Sequence, residues 1–249
     1  MTPLYGLLLL TLFAGLAMPL GALIAHFERI TPEWLETELM HGITAFGGGA
    51  LLSAISLVLV PEGIGHFSTW AAAILFLLGG MMFMCLDIFL SHKKTAMSQL
   101  VAMLADFIPE SLALGAALAL GGVNAALLAV LIAMQNLPEG FNAFRELKLS
   151  SDYGPWTIIL CFSVLALCGP VSGVIAYLWL SDWPAIVSGI MLFASGGILY
   201  AVFQDIAPQV PLEKHWYPTD GCGIGFCVGF GGLYAYSIIK ITKMYTKIV

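Results

Sequence analysis

The feature that most constrains this chain is a series of long apolar runs separated by short polar segments. The first run, PLYGLLLLTLFAGLAMPLGALIAHF, extends from Pro3 to Phe27 and contains no acidic or basic side chain before His26. About 20 consecutive apolar residues are enough to cross the hydrocarbon core of a bilayer as an α-helix. The sequence therefore predicts an all-α membrane protein in which residues 1–249 form one compact transmembrane domain. Marking the charged, Pro-rich and Gly-rich loops predicts eight spans, with approximate bounds 4–26, 41–61, 69–90, 97–120, 123–145, 155–180, 184–207 and 219–240.

The amino-acid composition also favours a lipid environment. Of the 249 residues, 60% are hydrophobic and only 10% are charged, whereas a soluble domain carries roughly 25% charged residues. Such a chain has too little polar surface to cover itself in water, so the lipid bilayer is its predicted surrounding. The nine Lys and Arg residues are scattered over loop positions and form no basic patch, so nucleic acid is not predicted as a partner.

The basic residues predict an orientation. The amino-terminal run lacks a positively charged leader and is longer than the apolar part of a signal peptide, so it is predicted to be a retained first span. With eight spans, both termini lie on the same side of the membrane. Loops rich in basic residues remain in the cytoplasm. The side opposite the termini has the larger number of basic residues. Both termini are therefore predicted to lie outside. The residues counted are Arg29, Lys93, Lys94, Arg145, Lys148 and Lys214 opposite the termini, and Lys240, Lys243 and Lys247 on the terminal side.

Five acidic residues lie inside the predicted spans more than one residue from either end. An ionised carboxylate at the bilayer centre costs about 2.5–3.5 kcal/mol on insertion scales, which makes such residues candidates for function. Asp87 and Asp205 lie near the ends of the third and seventh spans, whereas Asp106, Glu110 and Glu139 have apolar sequence on both sides. The last three are therefore the residues that most need a physical explanation.

The spacing of these acids predicts a polar cluster between the fourth and fifth spans. Asp106 and Glu110 are four residues apart, as are Gln135 and Glu139, so each pair lies on one face of its helix. The short connection between the spans makes them antiparallel neighbours. A proline precedes each Glu and removes one helical hydrogen bond, which frees a carbonyl beside the carboxylate.

Three carboxylates in one cluster require roughly 8–10 kcal/mol of compensation if all are ionised. A bound divalent cation with oxygen ligands would supply it. Two alternatives remain open at this point: protonated acids that bridge the helices by hydrogen bonds, and a proton relay without metal.

At these residues the chain resembles the ZIP family of divalent metal transporters, and in particular its short bacterial members. The most specific pieces are DFIPESLALG in the fourth span and QNLPEGF in the fifth. Weaker matches in the second, third and seventh spans are GGGALLSAISLVLVPEG, LGGMMFMCLDIFLSH and SGGILYAVFQDIAPQ. The resemblance implies eight spans in a 3+2+3 arrangement with an inverted repeat, both termini outside, and location in a bacterial inner membrane.

The resemblance also implies a set of metal ligands. The first metal position of the family corresponds here to Asp106, Glu110, Gln135 and Glu139. In the second position, Phe107 stands where the family has Asn, and Gly169 where it has Glu, so only Asn136 remains and a single-metal site is expected. Asp87, Asp205 and His92 are expected as secondary or pathway residues.

The implied function is secondary, ATP-independent movement of a divalent metal into the cytoplasm by alternating access. The site lacks the family's usual His, and carboxylate and amide oxygens favour harder ions such as manganese, although zinc also binds oxygen sites well. Zinc, iron, manganese and cadmium therefore stay open as substrates. The chain is expected not to be an enzyme and to carry no cofactor, and a homodimer is left open. The alternatives are an intramembrane metal-dependent hydrolase and a channel.

Overall fold

A computed structural model describes residues 3–28, 33–91, 96–119, 125–180, 182–209 and 220–245. Within these ranges the chain is almost entirely helical and contains no β-strand, which confirms the all-α prediction. The predicted pathway residue His92 lies outside the described residues.

The helices follow one another with short connections. The ten α-helices of the described ranges are α1 (Pro3–Phe27), α2 (Glu33–Ala54), α3 (Val60–Gly63), α4 (Thr69–Ser91), α5 (Ala96–Ala119), α6 (Ala125–Ser150), α7 (Pro155–Ala166), α8 (Cys168–Ile175), α9 (Pro184–Ala201) and α10 (Asp220–Tyr245). Short π-helical segments extend three of them, at Ile55–Leu59, Ala176–Leu180 and Val202–Ile206. Two 3₁₀ turns lie at Ile64–His66 and Ala207–Gln209.

Five stretches of the described chain are long and apolar enough to cross a membrane, judged by length and composition. They correspond to the predicted first, second, third, sixth and seventh spans: Leu4–Phe27, Glu38–His66, Thr69–Leu90, Pro155–Leu180 and Pro184–Gln204. The other three predicted spans coincide with α5, α6 and α10, which have 24, 26 and 26 residues. In α6, the polar side chains of Gln135, Asn136, Glu139 and Asn142 lower the hydropathy. Eight spans therefore remain a prediction.

Large apolar side chains cover much of the exterior. On α1, Leu9, Phe13, Leu16 and Leu20 are 46–54% exposed, and their spacing of three and four residues forms one continuous stripe. On α4, Trp70 is 82% exposed, and Ile74, Leu77, Met81 and Ile88 lie along the same helix with more than half of their surface uncovered. Contiguous apolar surface of this extent is unfavourable in water and suits contact with lipid chains.

Among the described residues, the closest backbone contacts that glycines allow between helices occur in four pairs. The sequence concentrates its 27 glycines in short clusters, and small residues allow close approach of membrane helices. A Cβ atom added at any glycine of this set would collide with a backbone carbonyl of the partner helix. The contacts are Gly21 of α1 with Leu137 of α6, Gly49 of α2 with Cys222 of α10, Gly79 of α4 with Phe193 of α9, and Gly115 of α5 with Gly173 of α8.

The core lies where α5 and α6 meet the surrounding helices. It contains Met103, Phe107 and Leu114 from α5, and Leu128 and Ile132 from α6, each at most 1% exposed. The two helices that carry the predicted ligands thus both contribute fully buried side chains to the core.

Candidate metal site between α5 and α6

The central contact of the candidate site joins Glu110 of α5 to Gln135 of α6. The Nε2 atom of Gln135 donates to both carboxylate oxygens of Glu110, at 2.5 and 2.6 Å. Glu110 is 1% exposed and Gln135 is 4% exposed. The structure therefore places one residue of each polar pair in direct contact inside the bundle. Each lies close in sequence to the proline inside its continuous helix, Pro109 or Pro138.

The remaining two acids complete a cluster of negative charge. Asp106 interacts electrostatically with Glu110, and Glu139 interacts with both Asp106 and Glu110. Asp106 and Glu139 are partly buried. Three carboxyl groups from two helices are thus close enough to repel one another when ionised.

Arg145, a cationic side chain in the described part of the chain, is paired away from this cluster. Arg145, on α6 beyond Glu139, pairs with Glu28 through a contact of 3.2 Å between Nη1 and Oε2. Its guanidinium also lies 5.8 Å from the ring centre of Phe141. The charge of Arg145 is therefore balanced at the end of α6, one to two turns away from the acids.

The Gln135 amide leaves one oxygen unsatisfied. Its Oε1 atom is buried and has no hydrogen-bond partner among the described residues. Because the amide nitrogen faces Glu110, coordination of a cation by Gln135 requires the amide to rotate and present Oε1 instead. Among the described residues, no group of three or more His, Cys, Asp and Glu side chains is arranged to hold a metal ion.

An aromatic ring fills the region expected for the second metal position. Phe107 is fully buried, and its ring lies against Gly169 of α8 and Gly15 of α1. A Cβ atom at Gly169 would lie 2.6 Å from Cζ of Phe107, and one at Gly15 would lie 2.9 Å from the same atom. The amide of Asn136 donates to the carbonyl oxygen of Ala14 at 2.9 Å, so it ties α6 to α1.

Of the predicted pathway residues Asp87, Asp205 and His92, Asp87 is the one whose side chain is described. Asp87 accepts a hydrogen bond from the hydroxyl of Tyr200 at 3.0 Å, which links α4 to α9. Asp205 lies in the π-helical segment Val202–Ile206, and its side chain is outside the described part of the chain.

Two polar residues near the cluster were missed by the sequence analysis. Asn142 of α6 donates through Nδ2 to Oγ1 of Thr44 on α2, at 2.7 Å. The Oδ1 atom of Asn142 is buried without a hydrogen-bond partner among the described residues. The available signal was the spacing of Gln135, Glu139 and Asn142, which places all three on one face of a helix.

No protein-family model matches this sequence, and no curated protein matches it. The chemistry of the α5–α6 cluster is therefore the structural basis from which a function can be proposed.

Proposed function

We propose that this protein is a secondary transporter that moves a divalent metal cation across the membrane into the cytoplasm by alternating access. The observation that carries the proposal is the buried contact of Glu110 with Gln135, with Asp106 and Glu139 close enough to interact electrostatically. The resemblance of the PES and PEG segments to the ZIP family supports the same function. The proposal includes eight spans in a 3+2+3 arrangement with an inverted repeat, and both termini outside a bacterial inner membrane.

The charges in the cluster favour a cation as the bound species. Carboxylates removed from water are strongly destabilised unless an opposite charge or hydrogen-bond donors compensate them. Here Gln135 supplies one hydrogen-bond donor group to Glu110. This donor does not compensate the mutual repulsion of the three acids. A divalent cation would neutralise two negative charges and accept all four side chains as oxygen ligands.

The ligand types suggest the class of metal. Carboxylate and amide oxygens suit hard ions such as manganese, whereas zinc binds such sites through its general affinity for oxygen and nitrogen donors. We propose a single site formed by Asp106, Glu110, Gln135 and Glu139, with zinc, iron or manganese as the transported ion. The buried ring of Phe107 supports one site, since it occupies apolar volume where a second set of donors would be required.

The helix pairs suggest how the site could be exposed to each side in turn. Helices in backbone contact through glycines are expected to move together, because small relative shifts would produce steric collisions. The site is shared by the α1–α6 pair and the α5–α8 pair. Contacts between α6 and α2 are made instead through side chains such as Pro138, whose Cγ atom would lie 2.9 Å from a Cβ at Gly47. We propose that this side-chain interface slides during transport.

Uptake of radioactive Mn²⁺ and Zn²⁺ into proteoliposomes tests the proposal. Glu139→Ala should abolish uptake, because it removes one of the four oxygen ligands and the acid that interacts with both others. The matched control is Glu146→Ala, since Glu146 is an exposed acid on the same helix, and its uptake should equal that of the wild type. Retained uptake by Glu139→Ala, with correct folding shown by gel filtration, would overturn the assignment.

A further inference from the structure

One face of α6 carries oxygen acceptors over two helical turns. Gln135, Glu139 and Asn142 are related by steps of four and three residues, so their side chains follow one another along the same face. Seven residues of α-helix rise about 10 Å. Asn142 therefore lies too far along α6 to belong to the same coordination sphere as Gln135, and Glu139 lies between them.

The two carboxamides on this face have the same unusual feature. Oε1 of Gln135 and Oδ1 of Asn142 are both buried, and neither has a hydrogen-bond partner among the described residues. A buried acceptor without a partner is energetically unfavourable. One such atom lies in the candidate metal site, and the second lies one turn beyond Glu139.

The hydrogen bond from Asn142 to Thr44 pairs the nitrogen of the Asn142 amide but not its oxygen. It uses Nδ2 and places the amide beside the Thr44 hydroxyl of a second helix, α2. Thr44 is 9% exposed, and its oxygen has a further lone pair. Exchanging the nitrogen and oxygen of the amide would again leave one of the two atoms unpaired.

The charge around Asn142 is compatible with a cation. Arg145 lies three residues farther along the same face, and its guanidinium is paired with Glu28. Glu139, three residues before Asn142, supplies the nearest negative charge along the helix. A cation beside Oδ1 of Asn142 would thus have Glu139 as its nearest acidic neighbour along the helix.

We propose that Oδ1 of Asn142, together with Glu139, forms a transient binding position for a divalent cation beside the central site, and that the Thr44 hydroxyl orients the Asn142 amide through their hydrogen bond. This position, called here the Asn142 station, lies toward the Arg145 end of α6 and receives the ion after it leaves Glu110 and Gln135. The inference rests on the proposed function and adds a defined step between the central site and one side of the membrane.

The test measures equilibrium binding of Mn²⁺ to the full chain in nanodiscs. In a Glu110→Ala/Gln135→Ala background the central site is lost, and weak binding at the Asn142 station should persist. Adding Asn142→Asp should strengthen this residual binding at least about tenfold, which corresponds to about 1.4 kcal/mol, because a carboxylate replaces a neutral oxygen. Adding Asn142→Ala should abolish it.

Transport by single variants in the wild-type background separates a binding role from a structural one. Thr44→Val removes the interhelical hydrogen bond and preserves Oδ1 of Asn142, whereas Asn142→Ala removes both. If Asn142 only holds α6 to α2, the two variants should lower Mn²⁺ uptake equally, and that result would overturn the station. A binding role predicts a loss at least about fivefold larger for Asn142→Ala.

The outcomes also separate this inference from the proposed function. If the wild-type chain neither binds nor transports Mn²⁺ or Zn²⁺, the proposed function fails and the station fails with it. If the wild type transports metal but Asn142→Asp adds no residual binding in the double variant, the station alone is refuted.

Discussion

Replacement of Gln135 by methionine should destabilise the metal-free protein because it removes the hydrogen bonds to Glu110. The substitution approximately preserves the side-chain volume, so loss of the amide is its main effect. In the structure one amide nitrogen donates to both oxygens of a carboxylate that is 1% exposed, at 2.5 and 2.6 Å. A hydrogen bond to a charged group contributes about 1.5–3 kcal/mol, and leaving its buried partner unsatisfied costs about as much again. Since the variant also removes the unpaired Oε1 atom, which offsets part of the loss, we expect a net destabilisation of about 2–3 kcal/mol.

Thermal unfolding in detergent with excess chelator measures this effect. For a chain of 150–250 residues, about 1 kcal/mol corresponds to a shift of roughly 2–4 °C in Tm, so Gln135→Met should lower Tm by roughly 4–12 °C. A saturating concentration of Mn²⁺ should recover part of this difference, because a cation bound to Asp106, Glu110 and Glu139 replaces the lost donor. An unchanged Tm in chelator would refute the reasoning, since it would mean that Glu110 does not depend on the Gln135 amide. As a control, Asn142→Leu tests whether removing a different amide from the same face of α6 lowers Tm equally.

Two further predictions follow from other parts of the structure. Gly21→Val should strongly destabilise the protein, because the new side chain would collide with the Leu137 carbonyl, whereas Gly6→Val on the same helix should be tolerated, since nothing lies within 4 Å of a Cβ there. Unfolding of both variants in detergent measures the difference, and equal stability would show that α1 and α6 do not require backbone contact. Asp106→His should raise the preference for Zn²⁺ over Mn²⁺ by about tenfold or more, because imidazole favours zinc over harder ions. Competition uptake in proteoliposomes measures the ratio, and an unchanged ratio would indicate that Asp106 does not contact the ion.

The sequence predicted the helical fold and the contact between α5 and α6 for a clear physical reason. Acids are so costly within apolar spans that their spacing identifies the faces that must turn inward. Glu110 and Gln135 are 25 residues apart with a short connection between their helices, so antiparallel packing brings them together without information from the rest of the chain.

The positions at which helices end or change their hydrogen bonding could not be predicted from the sequence. The predicted sixth span divides near Leu167 into α7 and α8, and Pro170 explains the division because it cannot donate to the carbonyl of Ala166. The π-helical segment Ile55–Leu59 precedes Pro61 and the segment Val202–Ile206 precedes Pro208. A proline indicates that helical hydrogen bonding will change nearby, but whether the backbone kinks, divides or widens depends on the neighbouring helices.

Contacts between distant helices were the least predictable part of the site. Asn142 looked like an ordinary polar residue, because its partner Thr44 lies on α2, which is far away in sequence. The position of the Phe107 ring likewise depends on two glycines, Gly15 and Gly169, that come from different helices. Residue type showed that Phe107 could not bind metal, but only the structure shows what its ring packs against.

The glycine-mediated pairs have a consequence for how the protein is made. Each pair joins a helix from the first half of the chain to a helix that is synthesised later: α1 to α6, α2 to α10, α4 to α9 and α5 to α8. When α1, α2 and α4 enter the membrane, their close-packing surfaces have no permanent partner and must be covered by lipid or by other proteins. Contacts between distant parts of a chain also form slowly. Assembly of the bundle must therefore wait until α10 has been synthesised, so an interrupted chain would expose glycine-lined surfaces suited to association with other membrane helices.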